Sequence, residues 1–118
     1  MSLSTFGAIM TYAIELEGRL HDFYKQVGDE DRARDADKRR TKMERVRRES
    51  VLEITLETID GLNEADYAHD LNDTSAAGQQ AAEKNAARFY ADVAPKINVR
   101  EAQRALEKAG KEHAALAG

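Results

Sequence analysis

One glutamate lies where the sequence pattern predicts a buried, apolar side chain. Glu17 belongs to seven positions that recur at steps of three and four residues, the spacing of one face of a helix. A carboxylate buried in such a face must be paired with a cation, protonated or bound to a metal ion. Apart from Glu17, the positions on this face are all apolar or aromatic: Phe6, Met10, Ala13, Leu20, Tyr24 and Val27.

The same pattern recurs 66 residues later, around Glu83. A Phe-Tyr pair follows each glutamate at the same distance, as Phe23-Tyr24 in the first case and Phe89-Tyr90 in the second. We therefore interpret the chain as two related halves, each built around an inward glutamate. We expect both tyrosines to be core residues with hydrogen-bonded hydroxyl groups rather than redox groups.

Helices must position the two glutamates and their Phe-Tyr pairs. Capping residues indicate where the first two helices begin and end. The first helix should begin near Ser4 and end with Val27, because Ser is a common N-cap and Gly28 a natural C-terminal stop. The second should extend over about Asp31–Asp60 and end at Gly61.

The second half repeats this plan after a longer connection at residues 62–72. The third helix should begin at a cap within Asp73–Ser75 and end at Pro95. Asn98 and Glu101 resemble a capping box at the start of the fourth helix. Short connections within each half and a longer one between the halves predict an antiparallel four-helix bundle. Its core should contain Met10, Ala13, Leu20, Tyr24, Met43, Val51, Ile54, Ala86, Tyr90 and Leu106.

Polar residues are also predicted on the inner faces of the second and fourth helices. The second helix should turn Arg40, Glu44 and Arg47 inward, and the fourth should turn His113 inward. The 66-residue offset pairs Arg47 with His113 and Glu44 with Gly110. Carboxylates and an imidazole that converge from four helices are the ligands with which helical bundles bind pairs of metal ions.

On these residues the chain resembles the rubrerythrin-like branch of the ferritin-like superfamily. The resemblance rests on Glu17 and Glu83 with their Phe-Tyr pairs, on Glu44 and on His113. It implies an all-α, ferritin-like bundle of two related hairpins that forms a single domain over residues 1–118. It also implies a site for two iron or manganese ions that react with dioxygen, peroxide or ferrous iron.

The chain departs from the family pattern at two of its ligand positions. The pattern requires Glu-x-x-His on both the second and the fourth helix, but the sequence has Glu44-x-x-Arg47 and Gly110-x-x-His113. Arginine has no lone pair for a metal, although it can neutralise carboxylates. We therefore do not expect a full two-metal centre. If Arg47 turns outward, four candidate ligands remain for one iron or manganese ion: Glu17, Glu44, Glu83 and His113.

The amino-acid composition of the chain bears on its domain number, its fold class and the kinds of molecule that it binds. The 118 residues favour one domain, and 34% charged residues with a single proline favour helices. The net charge of −4 gives no reason to expect nucleic acid or an anionic membrane as a partner. Basic residues between positions 32 and 48 alternate with acidic ones and lack aromatic neighbours, which is typical of a solvated helix face. Without cysteine, a leader or an apolar span, we expect a cytoplasmic protein.

The sequence is compatible with two functions, and it does not decide whether the protein is an enzyme. One is a rubrerythrin-like metalloprotein with a reduced site for oxidative-stress or iron chemistry. The other is a non-catalytic bundle in which an ion-paired core replaces the metal, and which acts by binding a partner or by forming an oligomer such as a homodimer. The direction of the Arg47 side chain should distinguish the two.

Overall fold

The structure, a computed structural model, describes Leu3 and residues 5–49, 62–68 and 71–118. This part of the chain confirms the prediction of an all-α protein with four long helices. Among the described residues, no helix is both long and apolar enough to cross a bilayer. The helices are α1 (Phe6–Val27), α2 (Glu30–Glu49), α3 (Ala76–Val93) and α4 (Arg100–Ala117).

The ends of α1 follow from local capping chemistry. The predicted cap Ser4 lies outside the described residues, and Thr5 is the N-cap, accepting a hydrogen bond from the Ala8 N–H at 3.0 Å. Gly28 ends the helix as predicted, in the left-handed region with φ 89°. Glycine adopts this conformation without steric cost, so the chain turns into α2 after only two residues.

The second half begins and ends its helices in a similar way. A short 3-10 helix, Glu64–Tyr67, lies in the connection before α3, and Ser75 caps α3 as predicted. Pro95 lies in a second 3-10 helix directly after α3. The predicted capping box is wrong, because the N-cap of α4 is Val99 and no side chain caps it. Val99 is buried, so packing of an apolar side chain rather than a polar cap fixes the start of α4.

The helices pack mainly in sequential pairs, α1 with α2 and α3 with α4, and α2 also contacts α4. The predicted core residues Val51 and Ile54 lie outside the described residues, as does the predicted helix end at Asp60 and Gly61. The other predicted core residues are confirmed as buried: Met10, Ala13, Leu20, Tyr24, Met43, Ala86, Tyr90 and Leu106.

The inner face of α2 differs from the prediction by one residue. Its buried residues are Ala33, Ala36, Arg39, Met43 and Val46. The prediction had placed Arg40, Glu44 and Arg47 on this face. Bundle packing selects the more apolar of two adjacent helical faces, and Met43 and Val46 supply the apolar surface.

Helices α3 and α4 approach closely at Gly110. A Cβ atom added to Gly110 would lie 2.9 Å from the Cβ of Tyr90, which is too close for two carbon atoms. The short side chain of glycine therefore permits this approach, and a glutamate at this position would separate the helices.

We predict that Gly110→Ala destabilises the protein by about 1–2 kcal/mol. The steric cost of overpacking should exceed the gain of up to ~1 kcal/mol from replacing a helical glycine. The measurement is the free energy of unfolding from urea titration.

Gly18→Ala is the matched control, because a Cβ there would meet Arg40 Cδ at an ordinary 3.5 Å. This variant should be at least as stable as the wild type. Equal stabilisation by both substitutions would contradict the close approach at Gly110.

Candidate functional site

Helices α1 and α3 exchange hydrogen bonds between a tyrosine and a glutamate at the centre of the core. The Tyr24 hydroxyl on α1 donates to Glu83 Oε1 on α3, and the Tyr90 hydroxyl on α3 donates to Glu17 Oε2 on α1 at 2.6 Å. On each helix the tyrosine follows the glutamate of the same helix by two turns, so the two side chains lie on one face of that helix. The prediction of hydrogen-bonded core tyrosines is confirmed. Burial and the adjoining carboxylates raise the pKa of both hydroxyl groups.

His113 on α4 lies between the two carboxylates. Its Nε2 atom is 2.8 Å from Glu17 Oε2, and its Nδ1 atom contacts Glu83 Oε2. Ionised carboxylates only accept hydrogen bonds, so both ring nitrogens must donate and the ring is a cation. Burial alone would lower the pKa of His113, but the hydrogen bonds to Glu17 and Glu83 outweigh burial and raise it to about 9. Tyr90 stacks on the imidazole ring, with 5.6 Å between ring centroids.

Arg39 on α2 supplies the second cation. Its Nε atom donates to Glu17 Oε1 at 2.8 Å, and its Nη1 atom donates to Glu112 Oε1 at 3.0 Å. Arg39 is only 6% exposed, whereas the Glu112 side chain is 40% exposed. Burial would raise the pKa of Glu17, but His113 and Arg39 together hold it below its usual value.

The four ionised side chains at the centre of the bundle balance in charge. Glu17 and Glu83 supply two negative charges, and Arg39 and His113 supply two positive ones. Each carboxylate oxygen of the two glutamates accepts at least one hydrogen bond. Because an unpaired buried charge is very costly, this full pairing is what allows four ionised groups to share an apolar core.

The structure brings together three of the four candidate ligands, Glu17, Glu83 and His113. The prediction that Glu44 faces inward is wrong, since its side chain is 44% exposed and accepts a hydrogen bond from Arg40 Nη1 at 3.2 Å. Arg47 is exposed, so the prediction that it neutralises the buried carboxylates is also wrong.

Both errors come from placing the inner face of α2 one residue too far along the helix, a choice that the 66-residue offset then supported by pairing Arg47 with His113. Arg39 contacts Glu17 as His113 contacts Glu83, so the corresponding residues of α2 and α4 are 74 positions apart. The connection between α3 and α4 is four residues longer than that between α1 and α2, which accounts for half of this shift of eight residues.

Sequence reasoning missed Arg39 and its surface partner Glu112. A signal for Arg39 was present, because it lies three residues after Ala36 and four before Met43 on an otherwise apolar stripe. Glu112 precedes His113 on α4 and carries no comparable signal, because only the packing of α2 against α4 brings it to Arg39.

The polar atoms of the three converging residues point at one another. In the part of the chain that the structure describes, no group of three or more His, Asp or Glu side chains is arranged to hold a metal ion. Comparisons of the chain with protein-family models, with curated proteins and with solved structures find no match.

We predict that Arg39→Met lowers the free energy of unfolding by about 3–5 kcal/mol. Removing one partner of a buried ion pair leaves the other charge uncompensated, here the carboxylate of Glu17. Urea titration at neutral pH measures the change.

Arg47→Met provides the control, because it removes the same charge from an exposed position of the same helix. Its effect should stay within about 0.5 kcal/mol. If the two variants lose the same stability, Arg39 is not the cation that the buried carboxylates require.

Proposed function

We propose that the chain is a ferritin-like bundle of two antiparallel hairpins in which Arg39 and His113 replace the metal ions, and that it acts as a non-catalytic binding protein. The observation that carries the proposal is the charge balance of the core, where two carboxylates face two cations. The two carboxylates and the imidazole are thus committed to one another and to Arg39, and binding of other molecules is left to the surface.

The available donors do not fit a two-metal centre. Such a centre uses a carboxylate three residues before each histidine, and here the corresponding residues are Ala36 before Arg39 and Gly110 before His113. Ala36 has no donor atom, and Tyr90 leaves no room for a longer side chain at Gly110. The guanidinium of Arg39 also occupies one oxygen of Glu17.

The convergence of Glu17, Glu83 and His113, together with the outward position of Arg47, favours a second candidate, a rubrerythrin-like protein that binds a single iron or manganese ion. Such an ion would have to displace a proton from His113 and compete with Arg39 for the Glu17 carboxylate. A charged guanidinium keeps its proton at any ordinary pH, so this competition weighs against the metal.

We predict that the protein purified without chelator carries no stoichiometric iron or manganese, and takes up neither in an anaerobic titration. Elemental analysis after gel filtration gives the metal content per chain. Binding of one ion per chain would favour the second candidate, and binding of two would overturn the proposal.

A double variant tests the ancestry that the proposal assumes. Ala36→Glu with Arg39→His creates a Glu-x-x-His pair on the buried face of α2 and removes the resident cation. We expect this variant to bind iron or manganese, with a melting temperature that rises on metal addition. The same variant with chelator is the control, and equal melting temperatures in the two conditions would contradict a ferritin-like origin.

We predict that stability falls as the pH rises from about 6.5 to 9, by about 3 kcal/mol. The folded protein holds a proton on His113 with a pKa of about 9, above its ordinary value of 6.5. This contribution is complete below pH 6.5 and is lost as the pH passes through the folded pKa. Urea titrations at several pH values measure the slope.

The slope should be much smaller in His113→Gln, which cannot take up the proton. His21→Gln should keep the full slope, because His21 is half-buried beside Asp22 and takes no part in the central network. An unchanged slope in His113→Gln would mean that another group produces it, and that His113 does not hold an extra proton in the folded protein.

A further inference from the structure

One buried nitrogen of the central network lacks a partner. Arg39 uses Nε for Glu17 and Nη1 for Glu112, but Nη2 is buried without a hydrogen bond, the one such side-chain atom among the described residues. A buried N–H group of a charged guanidinium is costly to leave unsatisfied. This nitrogen therefore points to a further acceptor.

Arg39 lines a groove of about 740 Å³ between α2 and α4. Its apolar surface includes Met43, Ala105 and Ala109, which belong to the buried core. Pockets that bind small organic molecules have volumes of roughly 300–1,000 Å³ and are mostly apolar, with a few polar groups that fix orientation. The groove has this size, with an apolar floor and charged side chains around it.

The charges around the groove select the sign of a ligand. Five basic side chains line it against two acidic ones, Asp35 and Glu112. Glu112 already accepts a hydrogen bond from Arg39, which reduces its repulsion of an anion. The basic side chains are Arg39, Lys38, Lys42, Arg45 and Lys108.

We propose that this groove binds an amphipathic organic anion, whose carboxylate or phosphate headgroup accepts a hydrogen bond from Arg39 Nη2 and whose apolar body lies along Met43, Ala105 and Ala109. Binding must turn the buried Nη2 atom of Arg39 toward the groove, where the headgroup supplies its acceptor, and the apolar body covers the alanine surface of α4. This inference names the class of ligand for the binding role proposed above, and it therefore rests on that proposed function.

The test is calorimetric titration of the full chain with decanoate and decyl phosphate below their micelle concentrations, and with decanol below its solubility limit. We expect saturable binding of one anion per chain and binding of decanol at least about tenfold weaker. The stronger of the two anions identifies the headgroup, carboxylate or phosphate. Equal binding of decanol and decanoate, or no saturable binding of either anion, would overturn the proposal.

Two lysines of α4 supply a matched pair of variants. Lys108 lines the groove and Lys111 does not, although both are exposed and lie three residues apart. Lys108→Glu should weaken anion binding about tenfold, whereas Lys111→Glu should leave it within about twofold. Equal effects would mean that only the net charge of the protein matters, and the groove site would be wrong.

Arg39→Lys tests the headgroup contact, because lysine keeps a cation beside Glu17 but removes Nη2. This variant should lose the preference for decanoate over decanol, and circular dichroism checks that it remains folded. If it does not fold, the Lys108 and Lys111 variants still decide the proposal.

Metal content and gel-filtration mass are measured on the same preparation. If metal-free, monomeric protein does not bind decanoate, the proposed ligand class is wrong and the proposed metal-free core is unaffected. Stoichiometric metal overturns the core proposal instead. A dimer that buries the groove and excludes decanoate would also overturn the anion site.

Discussion

Two carboxylates buried in an apolar core cannot remain ionised unless cations reach them, and this requirement organises the centre of the bundle. Glu17 and Glu83 lie on α1 and α3, while the cations Arg39 and His113 come from α2 and α4. The tyrosines complete the pairing by donating across from one half to the other. Neutralisation of the two carboxylates thus needs all four helices. A shift of any one helix would leave a buried charge without its partner in the low dielectric of the core.

Such a network selects one arrangement of the helices, but it adds little to the free energy of folding. Burying two ion pairs costs desolvation energy that their attraction only partly repays, and apolar residues of similar volume often do as well. The directions of the hydrogen bonds are the more selective feature, because each carboxylate oxygen has its own donor. We infer that the network fixes the register of α1 against α3, whereas the apolar stripes supply most of the favourable energy.

The groove lies beside the network, and Arg39 belongs to both. Gly110 lets α4 approach α3 until Tyr90 stacks on His113. Arg39 extends from α2 to Glu17 and also reaches Glu112 at the surface, so its guanidinium lies between the core and the groove. The cation that balances the buried carboxylates is therefore also the group that the proposed anion would contact.

The sequence by itself determined the four helices, the repeat of Glu17 and Glu83, and eight buried positions of the core, because helical periodicity and capping are local properties of the chain. It also identified His113 as an inward residue. Only the tertiary structure decided which basic residue of α2 meets the carboxylates. Arg39, Arg40 and Arg47 are chemically alike, and the choice among them depends on the rotation of α2 about its axis. That rotation is set by the packing of Met43 and Val46 in the core.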